Sequence, residues 1–161
     1  LIALPTSKQD HFLRAGNAHL VAQSMWPDQQ TAYAAFLVVA CEALKPSGKR
    51  YDKLNLYDVV AGLLNSSEAE GLRKHTAHPQ QVRSKHLHRG ELVAGELVPI
   101  LINDYFADPS FREMLQELSR VCRTCLIEWL RCGGAYKLDR SAKSKLGLLT
   151  GWWLSARGRI K

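Results

Sequence analysis

No run in this sequence approaches the roughly 18 uninterrupted apolar residues that a membrane-spanning helix requires. The opening LIALPTSKQD offers neither a basic leader nor a usable apolar core for secretion. Cysteine is scarce at four, and Cys122, Cys125 and Cys132 fall on one expected helix, which excludes a disulfide-stapled secreted domain. Strand-type alternation of apolar and polar residues is rare, and there is no internal repeat or low-complexity tract. P-loop, GxGxxG, GxSxG and HExxH motifs are all missing, so none of the chemistries they carry is indicated. These absences leave a single soluble domain over 1–161, with reduced thiols and a cytoplasmic location as the expectation. The chain opens on Leu1 rather than Met, which leaves room for a longer parent protein.

What is present is helical periodicity. The expected fold class is all-α, a compact bundle of about five to seven helices. A first helix is expected over 8–24, burying Phe12, Leu13, Leu20 and Val21. A second starts after Pro27 and runs through TAYAAFLVVACEAL to the stop KPSGK. It is apolar almost all round and therefore central, with Glu42 its one charge after Asp28; a buried carboxylate there needs a partner. LNLYDVVAGLLN reads as a short helix, Ser67 and Glu70 have capping-box spacing for the next, and Pro79 opens QQVRSKHLH. Residues 90–107 read as loop plus a short helix. Helix 109–132 is the best specified. Pro109 suits its first turn, Gly133-Gly134 ends it, and Phe111, Met114, Leu115, Leu118, Val121, Cys122, Cys125, Leu126, Trp129 and Leu130 recur on one face. A last helix is expected over 142–156.

Positive charge is concentrated at the end. Residues 136–161 hold seven cations, among them Lys143, Lys145, Arg157 and Arg159, against Asp139 alone, a net +6 of the formal +7. Such a tail, with Trp152 and Trp153, suits a polyanion and its bases, or is a solvated terminal helix. Cys122-x-x-Cys125 has metal-ligand spacing but sits in an apolar helix face, so buried free thiols are expected rather than a zinc site completed by His75, His78, His86 or His88. No metal and no cofactor is expected.

Four of the six histidines lie between His75 and His88, among Arg73, Lys74, Arg83, Lys85 and Arg89. Histidine exchanges protons near neutral pH, and arginine grips phosphate through parallel donors; together they supply what metal-free RNA cleavage needs. The alternative is a solvated basic helix.

The order Arg83-Ser84-Lys85-His86-Leu87-His88, then Arg89-Gly90, resembles the R-x(4–6)-H signature of the HEPN superfamily, in particular its Apea-like branch. AAFLVVACEAL, some 40 residues upstream, resembles that branch's hydrophobic helix, and 109–132 its closing helix; the resemblance covers roughly 12–132. It implies a helical bundle that pairs as a homodimer. It also implies a metal-independent endoribonuclease of a toxin–antitoxin or antiviral defence system, restrained in some cases by an antitoxin or a second domain. By the same resemblance Arg83 holds the scissile phosphate, His88 is the acid or base and Ser84 supports the site, with both copies of the motif forming one centre across a two-fold axis. Lys85 and Arg89 join the tail cations as RNA contacts, and Glu42 supports Arg83 or a histidine. On an ideal helix, residues five apart differ by about 140° and residues three apart by about 60°. His86 therefore competes with His88 as the partner of Arg83. Arg89 stands where the branch often has Gly. A non-catalytic HEPN-like module that binds RNA, a nucleotide or a partner protein is the alternative reading.

Overall fold

The computed structural model describes residues 4–75, 78–91 and 109–135. Their regular structure is entirely helical: α1 (Thr6–Met25), α2 (Gln30–Ala43), a 3-10 turn (Lys49–Tyr51), α3 (Leu56–Leu63), α4 (Ser66–Arg73), α5 (Pro79–Arg89) and α6 (Pro109–Arg131). The all-α bundle read from periodicity is the observed fold. Apart from Gly90 and Glu91, the element expected in 90–107 lies outside the described residues, as do the helix expected at 142–156 and its basic cluster.

Helix α2 is the axle. Most of its residues are buried, including Tyr33, Leu37, Val38 and Cys41, and α1, α5, α6 and α3 all pack on it. An element surrounded by helices has no solvent face to keep polar, which is why its sequence is apolar all round. It begins at Gln30, later than Pro27 implies. Pro27 instead occupies the turn after α1, on a cis Trp26–Pro27 bond.

Helix α1 corrects the sequence reading. Its buried residues are Ala15, Ala18 and Ala22, whereas Leu13 and Leu20 are exposed, at 59% and 69%, and Phe12 and Val21 are half-buried. Small side chains let the α1 backbone settle close against α2, its most extensive neighbour, and that turns the two leucines outward. Helix α6 follows its expected face. Eight of the ten periodic residues are buried, Leu126 is half-buried and Leu130 emerges at the end of the stripe.

Caps set the short helices. Asn55 and Asp58 form a reciprocal capping box on α3. Helix α4 is capped by Asn65, whose side chain accepts from the Glu68 N–H, so the start lies ahead of the expected Ser67 cap. At the far end of α6, Gly133 and Gly134 adopt positive φ, and a Cβ on Gly134 would meet the Trp129 ring at 2.8 Å. Trp129 Nε1 donates to the Leu44 carbonyl (3.2 Å), tying the end of α6 to the end of α2.

Candidate active site on helix α5

Helix α5 carries the Arg/His segment. Pro79 occupies its first turn, and Gly90, at φ +65°, closes it by donating its N–H to the His86 carbonyl at 3.0 Å. The helix is therefore regular from Arg83 to Arg89, and the angular rule applies unmodified. Pro79 and Val82 bury against the bundle. Gln80, Arg83 and His86, spaced by three, form a half-buried strip along the flank. Ser84, Lys85, Leu87, His88 and Arg89 face solvent.

The strip meets the carboxylate of α2. Arg83 Nη2 lies 3.3 Å from Glu42 Oε2, and Gln80 Nε2 donates to Glu42 Oε1 at 3.1 Å. Glu42 is thus satisfied on both oxygens, as a carboxylate with a side chain only 13% exposed requires. Gln80 also accepts, through Oε1, the N–H of Leu56 (3.3 Å), so one amide links the Glu42 pair to the start of α3. The sequence reading did not name Gln80; its i,i+3 spacing from Arg83 was the available signal.

Of the residues expected to act together, the structure joins Arg83 to Glu42 and sets His86 one turn beyond Arg83 on the same flank. Arg83 Nε and His86 Nδ1 are both shielded from solvent and have no hydrogen-bond partner among the described residues. His88 lies about 140° around the helix from Arg83, exposed. Within one chain the two do not converge. Arg89 pairs with Glu91 at 3.4 Å, while Ser84 and Lys85 are exposed beside it. Lys143, Lys145, Arg157 and Arg159 lie outside the described residues.

The cysteines form a separate cluster in the core. Cys41 of α2 meets Cys122 and Cys125 of α6, and all three are free thiols. Hydrogen bonding of the Cys41 S–H to the Cys122 and Cys125 sulfurs, and then burial, push the Cys41 pKa well above its ordinary value, so Cys41 stays a thiol. Among the described residues no group of His, Cys, Asp or Glu is arranged to hold a metal ion, and no helix is long and apolar enough to cross a membrane. Comparison with protein-family models, curated proteins and solved structures gave no match.

Proposed function

We propose that the chain is a metal-independent endoribonuclease of the HEPN type, acting as a homodimer in the cytoplasm, within a toxin–antitoxin or antiviral defence system. The observation that carries this reading is the α5 flank. An arginine is held by a largely buried carboxylate, a histidine follows one turn later, and each has a shielded nitrogen without a hydrogen-bond partner among the described residues, beside exposed Lys85, His88 and Arg89. Fixing Arg83 in advance lowers the cost of holding a phosphate at the moment its charge grows.

In this reading a histidine removes the proton from the RNA 2′-hydroxyl, whose oxygen attacks the adjacent phosphorus. The bond to the 5′-oxygen breaks, a second histidine supplies that oxygen's proton, and a 2′,3′-cyclic phosphate is left. One imidazole cannot be base and acid at once. A two-fold pairing that faces α5 to its copy brings the exposed His88 of one protomer to the Arg83–His86 flank of the other, and so supplies both.

The test is cleavage of a labelled single-stranded RNA in EDTA. His88→Ala and Arg83→Lys, the latter keeping a cation for Glu42, are each expected to lose about 10²-fold or more with helical content and dimerisation intact. Full activity in His88→Ala eliminates the reading. One observation favours a second: Arg83 and His88 diverge within the chain, which fits a non-catalytic module that binds RNA, a nucleotide or a partner protein as part of a larger defence or regulatory protein. Tight RNA binding without cyclic phosphate selects it.

A further inference from the structure

The segment after α2 is pinned to α1 by His11. Its Nδ1 lies 3.0 Å from the Ala43 carbonyl oxygen and its Nε2 lies 2.7 Å from Ser47 Oγ. A carbonyl oxygen only accepts, so Nδ1 carries the ring proton. The neutral ring then presents a lone pair at Nε2, and the proton in the 2.7 Å contact is that of the Ser47 hydroxyl. A hydroxyl donating to an imidazole whose other nitrogen is oriented by a third group is the arrangement that activates a serine. Ser47 is exposed, so its oxygen is reachable.

Two cavities meet at this pair, and His11, Lys45, Pro46 and Ser47 line both. One, of 420 Å³, also carries Arg14, Glu42 and Asp52. Glu42 is already neutralised by Arg83, so Arg14 and Lys45 outweigh Asp52 there. The other, of 210 Å³, is walled by Leu44 and Trp129, with Lys8 drawn aside to the Gly133 carbonyl at 2.7 Å. The pair therefore stands between a cationic lobe and a smaller apolar one.

We propose that Ser47 is a nucleophile activated by His11, and that the site cleaves esters joining a small apolar acyl group to an anionic alcohol. The proposal is independent of the RNA reading and uses none of the α5 histidines. Ser47 Oγ bonds to the carbonyl carbon while its proton passes to His11 Nε2. Negative charge grows on the carbonyl oxygen, and Lys45, common to both lobes, is the cation at hand to stabilise it. The carbon–oxygen bond to the alcohol breaks, and the departing alkoxide takes the proton back from His11. Water then releases the acyl group by the same route and restores the hydroxyl.

An alkyl fluorophosphonate tests this directly, because an activated serine displaces fluoride and gains a stable phosphonyl mass. Peptide mapping of the intact chain is expected to place the adduct on Ser47, labelled at least about tenfold faster than exposed Ser66, Ser67 or Ser84. His11→Asn keeps an amide donor for Ala43 while removing the base, and is expected to slow Ser47 labelling about 10²-fold. Acetyl esters of phenol and of a hydroxybenzoate read the cationic lobe: Arg14→Ala is expected to lower kcat/KM severalfold for the carboxylated ester alone. Labelling of Ser47 no faster than of Ser66, or an unchanged rate in His11→Asn, overturns the proposal and leaves His11 a structural pin; the first comparison needs only the unaltered protein.

Discussion

Glu42 and Arg83 are both partly withdrawn from water, with side chains 13% and 28% exposed, and each makes the other tolerable there. Removing one partner strands the other. Glu42→Ala also deprives Gln80 of its acceptor, and with it the polar link to the start of α3. The expected cost is about 2 kcal/mol, below the range for a fully buried pair because Arg83 retains contact with solvent. Denaturant unfolding of Glu42→Ala checks it; separately, a cycle of Glu42→Gln, Arg83→Gln and the double variant should return a coupling of about 1 kcal/mol, and additivity would show the 3.3 Å contact to be energetically idle. The pairing was readable from the sequence as a demand, because a lone carboxylate in an apolar helix must be answered. Which cation answers it was not readable, because Arg83 is 41 positions away and competes with the histidines around it.

At the scale of elements, α1 shows how packing distance overrides hydrophobicity. Leucine offers more apolar surface than alanine, so Leu13 and Leu20 were the natural core candidates; the close α1–α2 contact admits only Ala15, Ala18 and Ala22. Ala22→Leu is expected to destabilise by about 1–3 kcal/mol through overpacking. Leu20→Ala, on an exposed site, should stay within about 0.5 kcal/mol. Thermal unfolding of the two variants in parallel decides the matter, and the opposite order would place the leucines inside. Helix α6 was legible because its stripe is long and its ends are marked by Pro109 and Gly133; α1 was not, because alanines and leucines both recur at helical spacing.

Across the described part of the molecule, the ion pairs of Arg120 and the half-buried imidazole of His19 tie stability to pH. Burial, and then the nearby Arg123 charge, lower the pKa of His19. As pH falls below about 6.5, the unfolded chain takes up that proton before the folded one does, so stability declines until the folded ring also protonates. Glu117 is held below its ordinary value chiefly by its hydrogen bond from Arg120, which bridges it (2.9 and 2.7 Å) and Glu68, joining α6 to α4. That contribution is present above about 4.5 and is lost as pH drops through the folded value. The expected outcome is a Tm that falls in two stages, one setting in as pH drops past about 6.5 and the other below about 4.5. His19→Gln should flatten the first stage alone, and an unchanged profile in that variant would remove His19 from the account.

Local information determined the helical class, the central place of α2, the face and both ends of α6, and the concentration of histidine and arginine on α5. Each follows from periodicity, apolar content or a Pro/Gly signal carried within a single segment. The partnership of Glu42 with Gln80 and Arg83, the outward turn of Leu13 and Leu20 and the meeting of His11 with Ser47 were decided by tertiary structure. They depend on how closely helices approach and at what rotation. Those quantities are set by side-chain volumes on two elements at once, and neither element's sequence contains them.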